Sequence, residues 1–310
     1  MMKNLIVQLC DDSASFCHYE PSNQSTLIPY EALDAGLLWA VKNNLTIHLL
    51  FPNRELPKSY FELLSRYEYS KIYFGNTYNN GTSVYSNWSE IDLVENYGDN
   101  VIIRTSIKDF FIKTSVLQAL LNRCDRVNIT FTDIEQFSDE LIVSYRDTLR
   151  IISDFVKEQI YHGKLVQLNL LTDRILLDKM NNCNAGYESI SLCPDGKFYI
   201  CPGFYLNGMD NVGSPGGELK IPNSNLYELK YAPICRECDA YHCHRCVLLN
   251  KRLTREVNTP SRQQCLMAHI ERNVAADLLA DIRKWIDYVP EINIPHIGYL
   301  DPLEKILNRK

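Results

Sequence analysis

Eight of the eleven cysteines of this chain fall between Cys183 and Cys265, and no other feature restricts its folding as much. That segment is punctuated by turns, with Pro194-Asp195-Gly196, Pro202-Gly203 and Ser214-Pro215-Gly216-Gly217. Its apolar runs are too few and short to bury a core, so something besides hydrophobic burial must staple it. The spacings are Cys183-x9-Cys193-x7-Cys201, then Cys235-x2-Cys238-x4-Cys243-x2-Cys246, then Cys265. A C-x2-C turn sets two thiolates on one centre with little backbone strain, and two such pairs so close together indicate metal. Eight soft thiolates suit two four-cysteine zinc sites or two iron–sulfur clusters. His242 and His244, inside the second pair, keep the zinc reading open.

The rest of the chain decides the compartment and the partners. With 310 residues, 45% apolar, there is material for about two domains, or a barrel plus an appendage. The 32 basic and 38 acidic residues give a net charge of −6 with no lysine- or arginine-rich run, which excludes the electrostatic footprint of a nucleic-acid binder. No stretch is long and apolar enough to span a membrane. The N-terminal apolar run is too short for a signal-peptide core, since Gln8, Cys10 and Asp11 interrupt it. The N-x-[ST] triplets at Asn23, Asn44, Asn80, Asn87 and Asn128 are therefore read as chance, and the chain as cytoplasmic, where disulfides are rare.

Before the cysteine-rich segment, strand-like and helix-like stretches alternate. Strands are expected at residues 4–9, 45–50, 71–74, 101–104, 126–131 and 165–170, each short and rich in β-branched or aromatic residues. Helices are expected at 29–42, 55–66, 108–121 and 138–161, the first with an apolar stripe of Leu33, Leu37, Ala40 and Val41. Such alternation implies a parallel sheet flanked by helices. Residues 75–100 read as a long loop with a short helix. After Cys265 a stripe recurs every four residues, Leu266, Ile270, Val274, Leu278, Ile282 and Ile286, as a helix that packs on its own chain or on a partner.

The order Cys183-x12-Gly196-x4-Cys201, a gap, a four-cysteine group, a second gap and a lone cysteine resembles the SPASM domain of radical S-adenosylmethionine (SAM) enzymes. That family's pattern is C-x9–15-G-x4-C, gap, C-x2-C-x5-C-x3-C, gap, C; here the central group is one residue short in each of its last two intervals. The stretch 194–201, PDGKFYIC, also looks like that domain's β-hairpin. Carried over by position, the resemblance implies one [4Fe–4S] cluster on Cys183, Cys201 and Cys246 with Cys193 as fourth ligand. It puts Cys235, Cys238, Cys243 and Cys265 on a second.

The domain that precedes SPASM in that family is a partial (β/α)6 barrel. The resemblance thus implies an α/β chain of three parts: a radical-SAM-like partial barrel over 1–178, a small SPASM-like iron–sulfur domain over 179–266, and a C-terminal helical tail over 267–310. The radical SAM signature, C-x3-C-x-φ-C with φ aromatic, belongs in the loop after strand one. Here it reads Cys10-x3-Ala14-x-Phe16-Cys17. The outer cysteines and the aromatic are in place, but the middle ligand is an alanine, whose methyl cannot ligate iron. The family's Gly-Gly-Glu-Pro segment after strand two, which holds the SAM amino group, is replaced by Leu50-Phe51 and Pro52-Asn53-Arg54-Glu55-Leu56-Pro57. The alternative is that Cys10 and Cys17 are ordinary core residues; Cys124 is read as core.

These losses imply a pseudoenzyme that does not bind SAM. It resembles the partner subunits of ribosomal-peptide maturation systems, such as the maturase-like proteins of CXXX-repeat peptides. It would bind a precursor peptide, would associate with an active radical SAM protein or a second copy of itself, and would carry two [4Fe–4S] clusters. Two alternatives stand beside it: an active enzyme in which Asp11, Asp12, Ser13 or His18 supplies the third ligand, and a zinc-stapled binding module. The aromatic residues Tyr78, Tyr85, Trp88 and Tyr97 of the 75–100 loop and the Leu266–Ile286 helix are expected at a protein–protein interface, or else, for the loop, as a lid on the empty pocket.

Overall fold

The structure, a computed structural model, describes residues 2–75, 81–91, 100–180 and 182–285. Strands β1 (Asn4–Gln8), β2 (Thr46–Leu50), β3 (Ser70–Phe74), β4 (Thr82–Tyr85), β5 (Asn100–Thr105), β6 (Arg126–Phe131) and β7 (Gln167–Leu168) lie side by side in chain order, all parallel. The central strands are buried on both faces, as the near-continuous apolar runs Leu5-Ile6-Val7 and Val101-Ile102-Ile103 require. Helices connect them: α1 (Tyr30–Lys42), α2 (Lys58–Leu64), α3 (Trp88–Ile91), α4 (Ile107–Ile112), α5 (Thr114–Leu121), α6 (Leu141–Tyr161) and α7 (Thr172–Leu176). On α1 the buried positions are Leu33, Gly36, Leu37 and Ala40, while Val41, expected in the same stripe, is exposed.

Two strands continue the sheet beyond β1. β8 (Ser189–Leu192) pairs parallel with β1, Asn4 opposite Ser189, and β9 (Phe198–Tyr199) turns back antiparallel on β8. The sheet is therefore nine-stranded in the order β7-β6-β5-β4-β3-β2-β1-β8-β9. The hairpin is the one expected over 194–201. Gly196 at its turn has φ +77°, a left-handed conformation that favours glycine. Asp195 accepts from Lys197 N and from the Tyr199 hydroxyl. α8 (Pro202–Leu206), α9 (Val247–Thr254) and α10 (Arg262–Trp285) complete the fold.

Three expectations are corrected. The six-strand count misses β4, which lies within the stretch read as a loop, and misses β8 and β9 as members of the same sheet. The single helix over 108–121 is two, broken at Lys113. The helix expected to begin after Cys265 begins at Arg262, and its stripe of Leu266, Ile270, Val274, Leu278 and Ile282 is buried against the same chain, along α6 and α7. Tyr85 and Trp88 are also core residues. The Trp88 indole donates to Thr105 Oγ1 at 2.8 Å, so neither stands out on the surface as an exposed aromatic anchor. Tyr78, Tyr97 and Ile286 lie outside the described residues.

Candidate functional site

The loop after β1 is laid across the C-terminal ends of the strands, where active sites of parallel α/β folds are built. Its conformation is fixed by Arg104 of β5, whose buried guanidinium donates to the carbonyls of Cys17 (3.3 Å) and Tyr19 (2.9 Å) and to Glu20. Ser15 Oγ donates to the Tyr19 carbonyl, and Ala14 N to the Phe51 carbonyl. Ala14, at the missing-ligand position, is fully buried in an apolar cluster with Val84, Ile102, Phe16, Ile72 and Phe74. Cys10 is also buried, and its Sγ accepts from Arg54 Nη2 at 3.0 Å. Burial, with Asp12 alongside, raises the Cys10 thiol above its ordinary range.

Of the four residues that could stand in for the third ligand, Asp11, Ser13 and His18 are otherwise engaged, while Asp12 keeps one buried carboxylate oxygen without a hydrogen-bond partner. Asp11 accepts from the Tyr205 hydroxyl (2.7 Å) and from Thr26 N (3.3 Å). Ser13 Oγ accepts from Cys10 N, and Asp12 lies against the Cys10 thiol. The His18 ring, buried and held neutral with its pKa lowered to about 4 by desolvation, faces the Phe131 carbonyl at 3.0 Å.

The cysteine-rich segment brings its thiols into two neighbourhoods. In one, Cys243 lies among Cys235, Cys238 and Cys265. Cys235 and Cys238 sit on a tight turn, with Cys238 N bonded to the Cys235 carbonyl. Cys265 is set by the start of α10, where Ser261 and Gln264 cap each other's backbone N–H (2.8 and 3.3 Å) in a capping box. His269 Nε2 is 3.5 Å from Cys238 Sγ. Burial pushes Cys235 up to about 11 even with Arg245 beside it, and raises Cys243 further. Asp239 anchors the group. It accepts from Arg272 of α10 (3.0 Å) and Arg174 of α7 (3.1 Å), and Arg174 stacks on Tyr241. Burial alone would raise Asp239, but the two guanidinium groups outweigh it and hold the carboxyl below its usual range.

In the other neighbourhood, Cys183, Cys201 and Cys246 approach one another. Cys246 caps the N-terminus of α9 and its Sγ accepts from Leu249 N at 3.5 Å. Cys193, placed in this group by the family resemblance, is fully buried at the hairpin turn, with Asp195, Cys201 and Asp11 as its charged neighbours. Burial raises the thiols of Cys201 and Cys193 well above the ordinary range, and desolvation of the sulfur raises that of Cys183, an exposed residue, to about 11. Such thiols are neutral at pH 7 unless a cation offsets the burial of their charge. The donor chemistry of both neighbourhoods, four thiols in one with the His269 ring beside them and thiols in the other, with backbone N–H groups aimed at sulfur, thus fits a thiolate-ligated metal or cluster. Among the described residues, no three His, Cys, Asp or Glu side chains are already drawn close enough to hold a single ion.

A polar cavity of about 510 Å³, beside Arg104 and Glu20 at the ends of β4, β5 and β6, is lined also by Trp88, Asp109, Lys113 and Thr132. Sequence reasoning missed Arg104 and Arg54: single arginines in a strand and a loop carry no spacing signal, and only the fold shows what they clamp.

The same architecture is found in solved structures. The chain superposes on histidine-tagged anSMEcpe with bound AdoMet at a TM-score of 0.63 with 12% identity, covering 92% of this chain and 100% of that one. Native anSMEcpe with bound AdoMet and the Cp18Cys peptide gives 0.62 with 12% identity, covering 92% and 99%. No family profile matches the sequence, and no curated protein matches it either. At this identity the likeness establishes the fold. No helix among the described residues is long and apolar enough to cross a membrane.

Proposed function

We propose that this chain is an accessory, cluster-bearing subunit in radical-SAM-dependent maturation of a ribosomally made peptide, and that it does not itself cleave SAM. The observation that carries the reading is the state of the loop after β1. Ala14 is packed among Val84 and Ile102 where a ligating thiol would stand, and Arg54 occupies the Cys10 thiol from the segment that replaces Gly-Gly-Glu-Pro. Both changes remove what SAM binding needs. The thiols of the cysteine-rich segment, by contrast, remain gathered.

In this reading residues 179–266 form a SPASM-like domain after a degenerate barrel over 1–178. Cys235, Cys238, Cys243 and Cys265 hold one [4Fe–4S] cluster, and Cys183, Cys201 and Cys246 are ligands to another. When bound, such clusters supply one-electron transfer. Backbone N–H groups at Leu249 and Ala240 donate to cluster sulfur ligands, Arg245 balances their charge, and buried apolar walls exclude water. In this reading the precursor peptide binds at the cavity beside Arg104; a peptide partner is supported by anSMEcpe, of the same fold, which has been solved with a bound peptide. An active radical SAM protein, or a second copy of the chain, completes the assembly.

The experiment is anaerobic purification with assay of iron, sulfide, zinc and 5′-deoxyadenosine. Iron and sulfide without SAM cleavage are expected. Cleavage at enzyme-like rates ends the accessory reading, and zinc without iron or sulfide ends the cluster reading. A companion variant, Ala14→Cys, restores the signature on paper. No additional iron is expected from it, because Cys10 is held by Arg54 and the new sulfur enters a closed apolar cluster; a further cluster's worth of iron would show the SAM site to be intact.

A further inference from the structure

Cys17 has no part in a lost SAM site, yet it is not an idle core residue. Its Sγ faces the cysteine-rich segment, 3.9 Å from Cys246 Sγ. Cys183 is its next thiol neighbour, and Cys201 in turn neighbours Cys183 and Cys246. All four line one small, almost wholly apolar cavity of about 20 Å³, walled by Phe16 and Leu248, with Cys246 buried, Cys17 and Cys201 half-buried and Cys183 an exposed residue. A space of that size holds one water-sized body, and a dry, apolar one has nothing to offer water. Four thiols converging on it, with Tyr19 the one other side chain in the lining that carries a polar atom, describe a soft-metal site.

The alternative fourth ligand, Cys193, has different surroundings. It sits at the end of the hairpin with Asp195 and Asp11 among its neighbours; carboxylates beside a thiol oppose the thiolate that a metal needs. The Cys17 loop is also held in place. Arg104 grips the carbonyls on either side of His18, and Phe16 packs edge-on against Tyr19. Cys246 Sγ accepts from the Cys17 thiol and from Leu249 N, so the two sulfurs are already aimed at one point.

We infer that Cys17, Cys183, Cys201 and Cys246 form one four-thiolate centre, so that the relic of the radical SAM signature ligates the metal of the cysteine-rich segment in place of Cys193. This rests on the reading that the segment binds metal. It accounts for what the signature has kept and lost: the third cysteine serves a new centre while the second, with no partner to serve, is alanine.

The test compares wild type with Cys17→Ser, Cys193→Ala and Cys10→Ser, each purified and reconstituted anaerobically, with iron, sulfide and zinc per chain, visible absorption and EPR. Circular dichroism controls for folding. Cys17→Ser is expected to lose about half of the wild-type metal, or to yield a three-iron EPR signal as one iron leaves. Cys193→Ala and Cys10→Ser are expected to match wild type. A Cys17→Ser protein with wild-type metal content and spectra, or an equal loss in Cys193→Ala, overturns this assignment while leaving the metal-binding reading intact. A wild type that takes up neither iron nor zinc overturns both. If the metal is zinc, the same half-loss in Cys17→Ser upholds the four-thiolate site and removes the cluster chemistry alone.

Discussion

His48 ties three strands together, its ring facing Ser70 Oγ at 2.5 Å and Asn4 Oδ1 at 3.1 Å across β3, β2 and β1. Burial lowers its pKa below the usual histidine value. The unfolded chain takes up this proton near pH 6.5, the native protein only at lower pH, so protons in that interval favour unfolding. Stability linked to His48 is complete above about pH 6.5 and is lost as the pH falls through the lowered native value. His48→Gln, which keeps a donor and an acceptor on the strands, is expected to flatten the fall of the urea midpoint between neutral and mildly acid pH. An unchanged slope would assign that fall to other groups. Burial is met differently at Arg104 and at the thiols: the guanidinium reaches Glu20 and two carbonyls, whereas burial raises most of the thiols, Cys235 included although Arg245 lies beside it.

At the scale of elements, α8 is the seat on which the loop after β1 meets the cysteine-rich segment. A Cβ on Gly203 would stand 2.9 Å from Tyr19 Cβ and 2.3 Å from Leu248 Cδ2, closer than packed atoms tolerate. Gly203→Ala is therefore expected to push β1's loop away from α9, at about 1–3 kcal/mol, and to lower metal content at the Cys246 side along with the melting temperature. Wild-type values for both would show the contact to be slack. The elements differ in how legible they were beforehand. The strand–helix alternation is a local pattern and survives translation into structure, and the hairpin turn at Gly196 is announced by Pro-Asp-Gly. β4 is not, because Thr82–Tyr85 is four residues set among glycine, asparagine and serine, and its strand character comes from the ladders of β3 and β5 on either side. The gathering of Cys235, Cys238, Cys243 and Cys265 follows from short spacings. The direction of the Cys17 thiol does not, since it depends on Arg104, 87 residues away along the chain.

At the scale of the molecule, the passage from the seven parallel strands to the cysteine-rich segment is not a seam. β8 lies beyond residue 178 in the chain but beside β1 in the sheet, with Lys3 N and Asn4 N both bonded to the Glu188 carbonyl and Lys3 paired to the Glu188 carboxylate. α10 covers α6 with Leu266, Ile270, Val274 and Leu278, and its Glu271 takes the hydroxyl of buried Tyr145. Removing residues 179–285 would uncover both at once. The β1 edge, whose Leu5, Ile6 and Val7 are almost wholly buried, would present unpaired N–H and C=O groups beside an apolar face, the combination that templates aggregation. A chain cut after residue 178 is therefore expected to be insoluble, or to bind a hydrophobic dye and lose a cooperative melt, even though its seven parallel strands remain encoded. A soluble, cooperatively melting 1–178 fragment would show that β1 tolerates an open edge and that the two parts are independent domains. The expected outcome makes the cysteine-rich segment the supplier of two of the nine strands as well as the carrier of the thiols, so that metal loading and sheet stability should rise and fall together in a melt monitored with and without chelator.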